Sequence, residues 1–142
     1  MKKLIILVIL PILLSFSQEK QSLESKLREV YSIEICDQIL KNPAQKKYFE
    51  VFLFHSLVLT KEKIESAQNH EILTNVSLMQ NKGESITISA EDLIKLIETR
   101  ELNVLQLEIE RHMDNNLIFR LGETDYVLTL LSHSQINKLA KK

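Results

Sequence analysis

The sequence predicts an α+β fold: an antiparallel sheet packed against helices, in a single domain behind a short export leader. Three observations carry that expectation. Apolar residues recur at every second position from Asn103 onward. Ser89 and Ser132 each open a helix-capping pattern. A basic and then apolar stretch begins the chain.

The leader comes first. Lys2 and Lys3 precede an apolar run from Leu4 to Leu14, followed by Ser15-Phe16-Ser17. A secretory signal peptide has this layout: a basic start, an apolar stretch of about 7–15 residues, and small side chains at positions −3 and −1. Ser15 and Ser17 fill those positions, so residues 1–17 are expected to be removed and the mature chain to begin at Gln18. A spanning helix needs about 20 apolar residues, more than this run holds, and Pro11 interrupts it. No stable membrane span is expected after cleavage. A lipid anchor requires a cysteine at the cut, and the only cysteine, Cys36, lies far beyond it. The style of the leader is bacterial, and the expected destination is the periplasm or the outside of the cell.

Cleavage removes two of the 18 basic residues and none of the 19 acidic ones, leaving a balance of −3. That mild, interspersed charge gives no basic stripe for nucleic acid, and none is expected as a partner. A single cysteine forms no internal disulfide, and among Ile33, Ile35 and Ile39 it reads as a small core side chain. An intermolecular disulfide or a nucleophile is the alternative. The remaining residues, 18–142, suffice to close one core.

Element by element, residues 18–42 read as an N-terminal helix. Leu23, Leu27, Val30, Tyr31, Ile39 and Leu40 fall at steps near three and four. Glu24 and Arg28 form a favourable i,i+4 pair, and Pro43 is expected to stop the helix. Residues 48–59 read as one long buried strand, after at most a helical turn from Pro43, because aromatic and β-branched residues dominate. Thr60 is expected to cap a short helix through Asn69.

Val76–Met79 and Ile86–Ser89 read as a hairpin around Gly83, which supplies a positive φ. Ser89-Ala90-Glu91-Asp92 then resembles a capping box, with Leu93, Leu96 and Ile97 as the inner stripe. Leu105, Leu107 and Ile109 alternate with Gln106, Glu108 and Glu110, which predicts a half-buried strand. After turn residues 113–116, Leu117, Phe119 and Leu121 resume the alternation. Residues 122–125 turn again into Tyr126–Leu131, completing a three-strand meander. Ser132-His133-Ser134-Gln135 starts a short C-terminal helix, with Gln135 expected to reach back to the cap.

The absences narrow the chemistry. The mature chain's two glycines, Gly83 and Gly122, lie far apart, which excludes glycine-rich phosphate loops. No Cys-x-x-Cys, His-Glu-x-x-His or Gly-x-Ser-x-Gly occurs, so the common zinc frameworks and the hydrolase elbow are missing. No cofactor is expected. Asn75-Val76-Ser77 fits the glycosylation pattern, which has meaning only in a eukaryotic host. Tyr48, Phe49, Phe52 and Phe54 read as core aromatics, with a ligand-binding aromatic wall as the alternative.

One constellation remains. The 112–116 turn and the end of the last strand should share an edge of the sheet, gathering Arg111, His112, Asp114 and His133 around the start of the final helix. Cations and free N–H groups there suit ligand or anion binding. The leading expectation is a non-enzymatic module that binds a protein or small ligand in the envelope or outside the cell. The alternative is a small hydrolase or metal-dependent enzyme using His112, Asp114 and His133. It requires both imidazoles to bring a nitrogen within about 5 Å of a common point.

Overall fold

The computed structural model describes residues 23–63, 70–80 and 83–142. The leader lies outside these residues, as does most of the helix expected after Thr60. The fold is α+β. In chain order it comprises α1 (residues 23–30), α2 (Ile33–Lys41), α3 (Pro43–His55), β1 (Leu57–Lys61), β2 (Glu71–Leu73), β3 (Asn75–Met79), β4 (Ser85–Ser89), α4 (Ala90–Glu98), a 3₁₀ turn (Val104–Gln106), β5 (Leu117–Leu121), β6 (Tyr126–Leu130) and α5 (His133–Ala140). Among these residues no helix is long and apolar enough to cross a membrane.

The expected N-terminal helix is two helices. α1 closes with the Tyr31 N–H on Leu27 O at 2.8 Å, and Ser32 then turns extended (ψ 161°) and caps α2. Both pieces carry the same three-and-four spacing, so periodicity runs through the break unseen. Pro43 starts a helix as well as ending one. Asn42 is extended, as a residue before proline must be. Its side chain accepts the N–H groups of Ala44 and Gln45 at 3.0 and 3.2 Å. Proline at the first helical position lacks only an N–H that would have had no partner there.

The long strand expected over residues 48–59 is therefore corrected: it is α3, and strand begins only at Leu57. Aromatic content is a weak guide where packing decides. Val51 and Leu53 are buried, whereas Phe54 is 44% exposed. Tyr48 and Phe52, four residues apart, stack with ring centroids 6.2 Å apart, which is the helical spacing. Thr60 belongs to β1 rather than to a helix cap.

The expected β3–β4 hairpin forms, with Val76 opposite Ile88 and Leu78 opposite Ile86, and Gly83 has φ 78°. Ser89 caps α4, accepting the Asp92 N–H at 3.1 Å. Leu93 and Ile94 are buried beneath it.

The main sheet is mixed, in the order β1-β6-β5-β2. β5 and β6 form the expected antiparallel hairpin. β1 adds antiparallel to β6, while β2 lies parallel to β5. This corrects the three-strand meander, since residues 105–109 are not a strand of this sheet. Asn103, buried, caps the 3₁₀ turn by accepting the Leu105 N–H at 3.1 Å. Leu107 then makes a single bridge to Leu78, beside a 2.9 Å bond from the Glu108 N–H to Ser77 O. The alternation holds from Leu107 onward, where Leu107 and Ile109 are half-buried while Glu108 and Glu110 are exposed, but Gln106 in the 3₁₀ turn is half-buried like Leu105. A burial pattern specifies a face but names no neighbour.

One face of the sheet carries Leu57, Leu59, Leu128, Leu130, Leu117, Phe119 and Leu121. It joins Leu27, Cys36, Leu53 and Leu93 in one core. On the other face Val58 and Ile118 are exposed. Arg120 is buried there, donating to Thr124 O at 2.8 Å and to Glu62 O and Lys63 O at 3.5 and 3.4 Å.

Gly122 sits at φ 57°, where a Cβ would stand 3.0 Å from Glu91 Oε1. Gly122→Ala is expected to cost about 1–2 kcal/mol, the left-handed penalty for an L side chain. Urea unfolding checks this, and a neutral result would contradict the turn geometry.

Candidate functional site

The β5–β6 hairpin positions the site. Its open end brings residues 111–116, which precede β5, against Leu131 and Ser132, which follow β6. The structure therefore gathers Arg111, His112, Asp114 and His133 around the start of α5. What each does there is specific.

His112 is exposed, and its Nδ1 accepts the backbone N–H groups of Asp114 and Asn115 at 3.0 and 2.9 Å. The side chain acts as the cap of a tight turn. Asp114 Oδ1 accepts the Ser134 hydroxyl at 3.0 Å. The half-buried His133 places Nδ1 3.0 Å from the Tyr48 hydroxyl on α3. The two imidazoles thus serve different partners. Among the described residues, no group of three or more His, Cys, Asp or Glu side chains is arranged to hold a metal ion.

The N–H groups that begin α5 are engaged as well. His133 donates to His112 O at 3.2 Å, Ser134 to Met113 O at 2.9 Å, and Gln135 to the Ser132 hydroxyl at 3.1 Å. The N–H of Ser132, expected to meet Gln135, instead reaches Asn116 Oδ1 at 2.8 Å. Residues 112–116 form a clasp on the helix start, filling donors that an anion would otherwise take.

Arg111 lies deeper. Its Nη1 donates to Leu131 O at 2.9 Å and Ser56 O at 3.2 Å, and its Nη2 donates to the Ser56 hydroxyl at 2.8 Å. The guanidinium also stacks over Phe52, 4.6 Å from the ring centroid. One side chain thus ties together the end of α3, the start of β1 and the end of β6. Burial lowers its pKa to about 10, and the Tyr48 hydroxyl opposes that shift. Burial also raises the pKa of Tyr48, with the Arg111 cation pulling it back down.

Sequence reasoning missed Ser56 and Tyr48. Ser56 is fully buried, and its hydroxyl both accepts from Arg111 and donates to Phe52 O. The available signal was a lone small polar residue inside an apolar run. Treating that run as a strand hid its meaning.

Beside this cluster is a cleft of about 330 Å³, bordered by Tyr31, Phe52, Leu105, Leu107, Ile109 and Arg111. His133 and Glu110 also reach its edge. Apolar and aromatic residues border much of it, although the surface it exposes is more polar than apolar, and the part-buried Arg111 supplies a cation. Such a lining suits binding, in which apolar area supplies affinity and a few polar groups fix orientation. In comparisons with known proteins, no family model, no curated protein and no solved structure matches this chain.

Proposed function

We propose that this chain is an exported binding module, delivered by residues 1–17 to the periplasm or the outside of the cell, whose body binds a protein or small ligand without catalysing a reaction. The observation that carries the binding reading is the commitment of the candidate catalytic groups. His112, Asp114 and His133 are each engaged internally, and no two of them share a partner. Acid–base chemistry requires such groups to converge on one reacting atom. Bonds that commit one ring nitrogen of each histidine to a separate partner favour the binding reading over the hydrolase alternative.

Export is supported by the leader alone: a basic start, a short apolar stretch and Ser15 and Ser17 before the cut. Fractionation of expressing cells with intact-mass analysis tests it. The expected result is a periplasmic or secreted chain beginning at Gln18. Full-length protein, Met1 included, dissolved in the cytosol would overturn it.

A further inference from the structure

Arg111 presents an unusual electrostatic situation. A guanidinium has five N–H groups. Three bonds engage it, all to neutral acceptors: Ser56 O, Leu131 O and the Ser56 hydroxyl. Among the described residues no carboxylate forms an ion pair with it. Cations that proteins take out of water are as a rule paired. Here burial acts on the charge, lowering its pKa to about 10, with only Tyr48 opposing. The Nε and one Nη2 N–H remain for another acceptor, and the side chain borders the cleft between α3 and residues 104–111.

We propose that this cleft binds a small monocarboxylate with an apolar tail, its carboxylate on Arg111 and its chain along Leu105, Leu107 and Ile109. The inference rests on the binding-module reading and deepens it by naming a ligand class. Shape and charge both support the choice. A volume of about 330 Å³ is roughly eleven times the ~30 Å³ share of a liquid water, room for roughly ten heavy atoms. That matches the eight carbons and two oxygens of octanoate. Tyr31 and Phe52 add ring surface beside Leu105, Leu107 and Ile109, a strip along which a short tail can lie. The joined Tyr48 hydroxyl and His133 ring, with His133 at the cleft edge, supply a polar end near the cation.

Charge selects among anions. Glu110 also borders the cleft, is exposed, and makes no ion pair with Arg111. One deep cation beside one rim carboxylate accommodates a single negative charge better than a phosphate dianion. Arg and carboxylate also match in planar, two-point geometry.

Titration of the purified protein with octanoate, octanol and acetate, followed by amide and arginine side-chain NMR, tests the proposal. Octanoate is expected to bind saturably with Kd of about 1 mM or tighter, shifting Leu105, Leu107, Ile109 and the Arg111 Nε–H. Octanol lacks the charge and acetate lacks the tail, and each is expected to bind at least ~10-fold more weakly, the usual scale for losing a bond to a charged group or a buried chain. Arg111→Lys keeps a charge but loses the planar fork, and is expected to weaken octanoate ~10-fold. Should that variant fail to fold, Glu110→Gln decides, because an exposed side chain changes without touching the core. Removing the repelling carboxylate is expected to tighten octanoate ~2–5-fold. Octanol binding as tightly as octanoate, shifts confined to other residues, no binding, or unchanged affinity in Glu110→Gln would each overturn the proposal. Because location is read from the N-terminal mass, failure here leaves the export reading to its own test.

Discussion

Arg111→Met is expected to lower the unfolding free energy by about 2–3 kcal/mol, the net of three lost bonds to a charged group and a relieved burial cost. The opposing effects have different sizes. Methionine keeps much of the apolar volume and removes the penalty of holding a cation out of water. Against that, Leu131 O loses its 2.9 Å bond from Nη1, the Ser56 hydroxyl loses its 2.8 Å donor, and the stack on Phe52 disappears. Ser56 O fares better, since it also accepts the Leu131 N–H at 2.9 Å. An orphaned buried carbonyl costs about 1–3 kcal/mol, and the lost cation–π contact roughly another 1 kcal/mol. Bond loss therefore outweighs desolvation relief. Urea unfolding at neutral pH measures the outcome, and a stability equal to or above the parent would show that Arg111 is not a fastener.

A larger loss is expected at the centre of the sheet. Leu128 is fully buried on β6, between Leu59 of β1 and Phe119 of β5. Both flanking strands are fixed by their own ladders, so neighbours have little freedom to collapse into a vacated space. Leu128→Ala is expected to cost about 3–5 kcal/mol, toward the upper end of the range for buried leucines. For a domain of this size that lowers Tm by roughly 10–15 °C. Thermal unfolding followed by circular dichroism checks it. A drop below about 1 kcal/mol, typical of a surface substitution, would place Leu128 outside the core and discard the β1-β6-β5 arrangement.

Much of the local structure was legible because its causes are local. Ser89 and Ser132 cap helices by reaching N–H groups three residues on, and the sequence alone shows a serine before each inward stripe. Gly83 and Gly122 mark the positive-φ turns. Phe119 and Leu121, against Ile118, show which face of β5 is buried, although Arg120 joins the buried set by bonding back to the chain. The illegible parts were those decided by distant partners. Residues 48–55 hide their period because the exposed Phe54 and the half-buried Tyr48, Phe49 and Phe52 are as apolar as the buried Val51 and Leu53, so composition does not separate the faces. Only the Tyr48–Phe52 spacing marks the helix. Residues 105–109 carry the alternation of a strand but meet Leu78 at one point, a pairing fixed by how the β3–β4 hairpin docks.

The candidate site divides along the same line. The gathering of Arg111, His112, Asp114 and His133 near the start of α5 was expected from a three-strand meander, and it survives the loss of the first strand because the β5–β6 hairpin alone brings its two open ends together. The roles were hidden because their partners come from α3. Tyr48 meets His133 across 85 residues of sequence, and Ser56 meets Arg111 across 55. Once residues 48–55 are helical, both partners face the site, and the histidines become parts of a clasp.

The Arg111–Ser56 connection is where fold and proposed binding meet, and a double-mutant cycle on unfolding free energy measures it most directly. With Arg111→Met, Ser56→Ala and the double variant, the expected coupling is about 1–2 kcal/mol, in the range for contacting residues in one hydrogen-bond network. Strict additivity, within about 0.3 kcal/mol, would mean that the guanidinium does not rest on the Ser56 hydroxyl, and the cage around Arg111 would have to be abandoned.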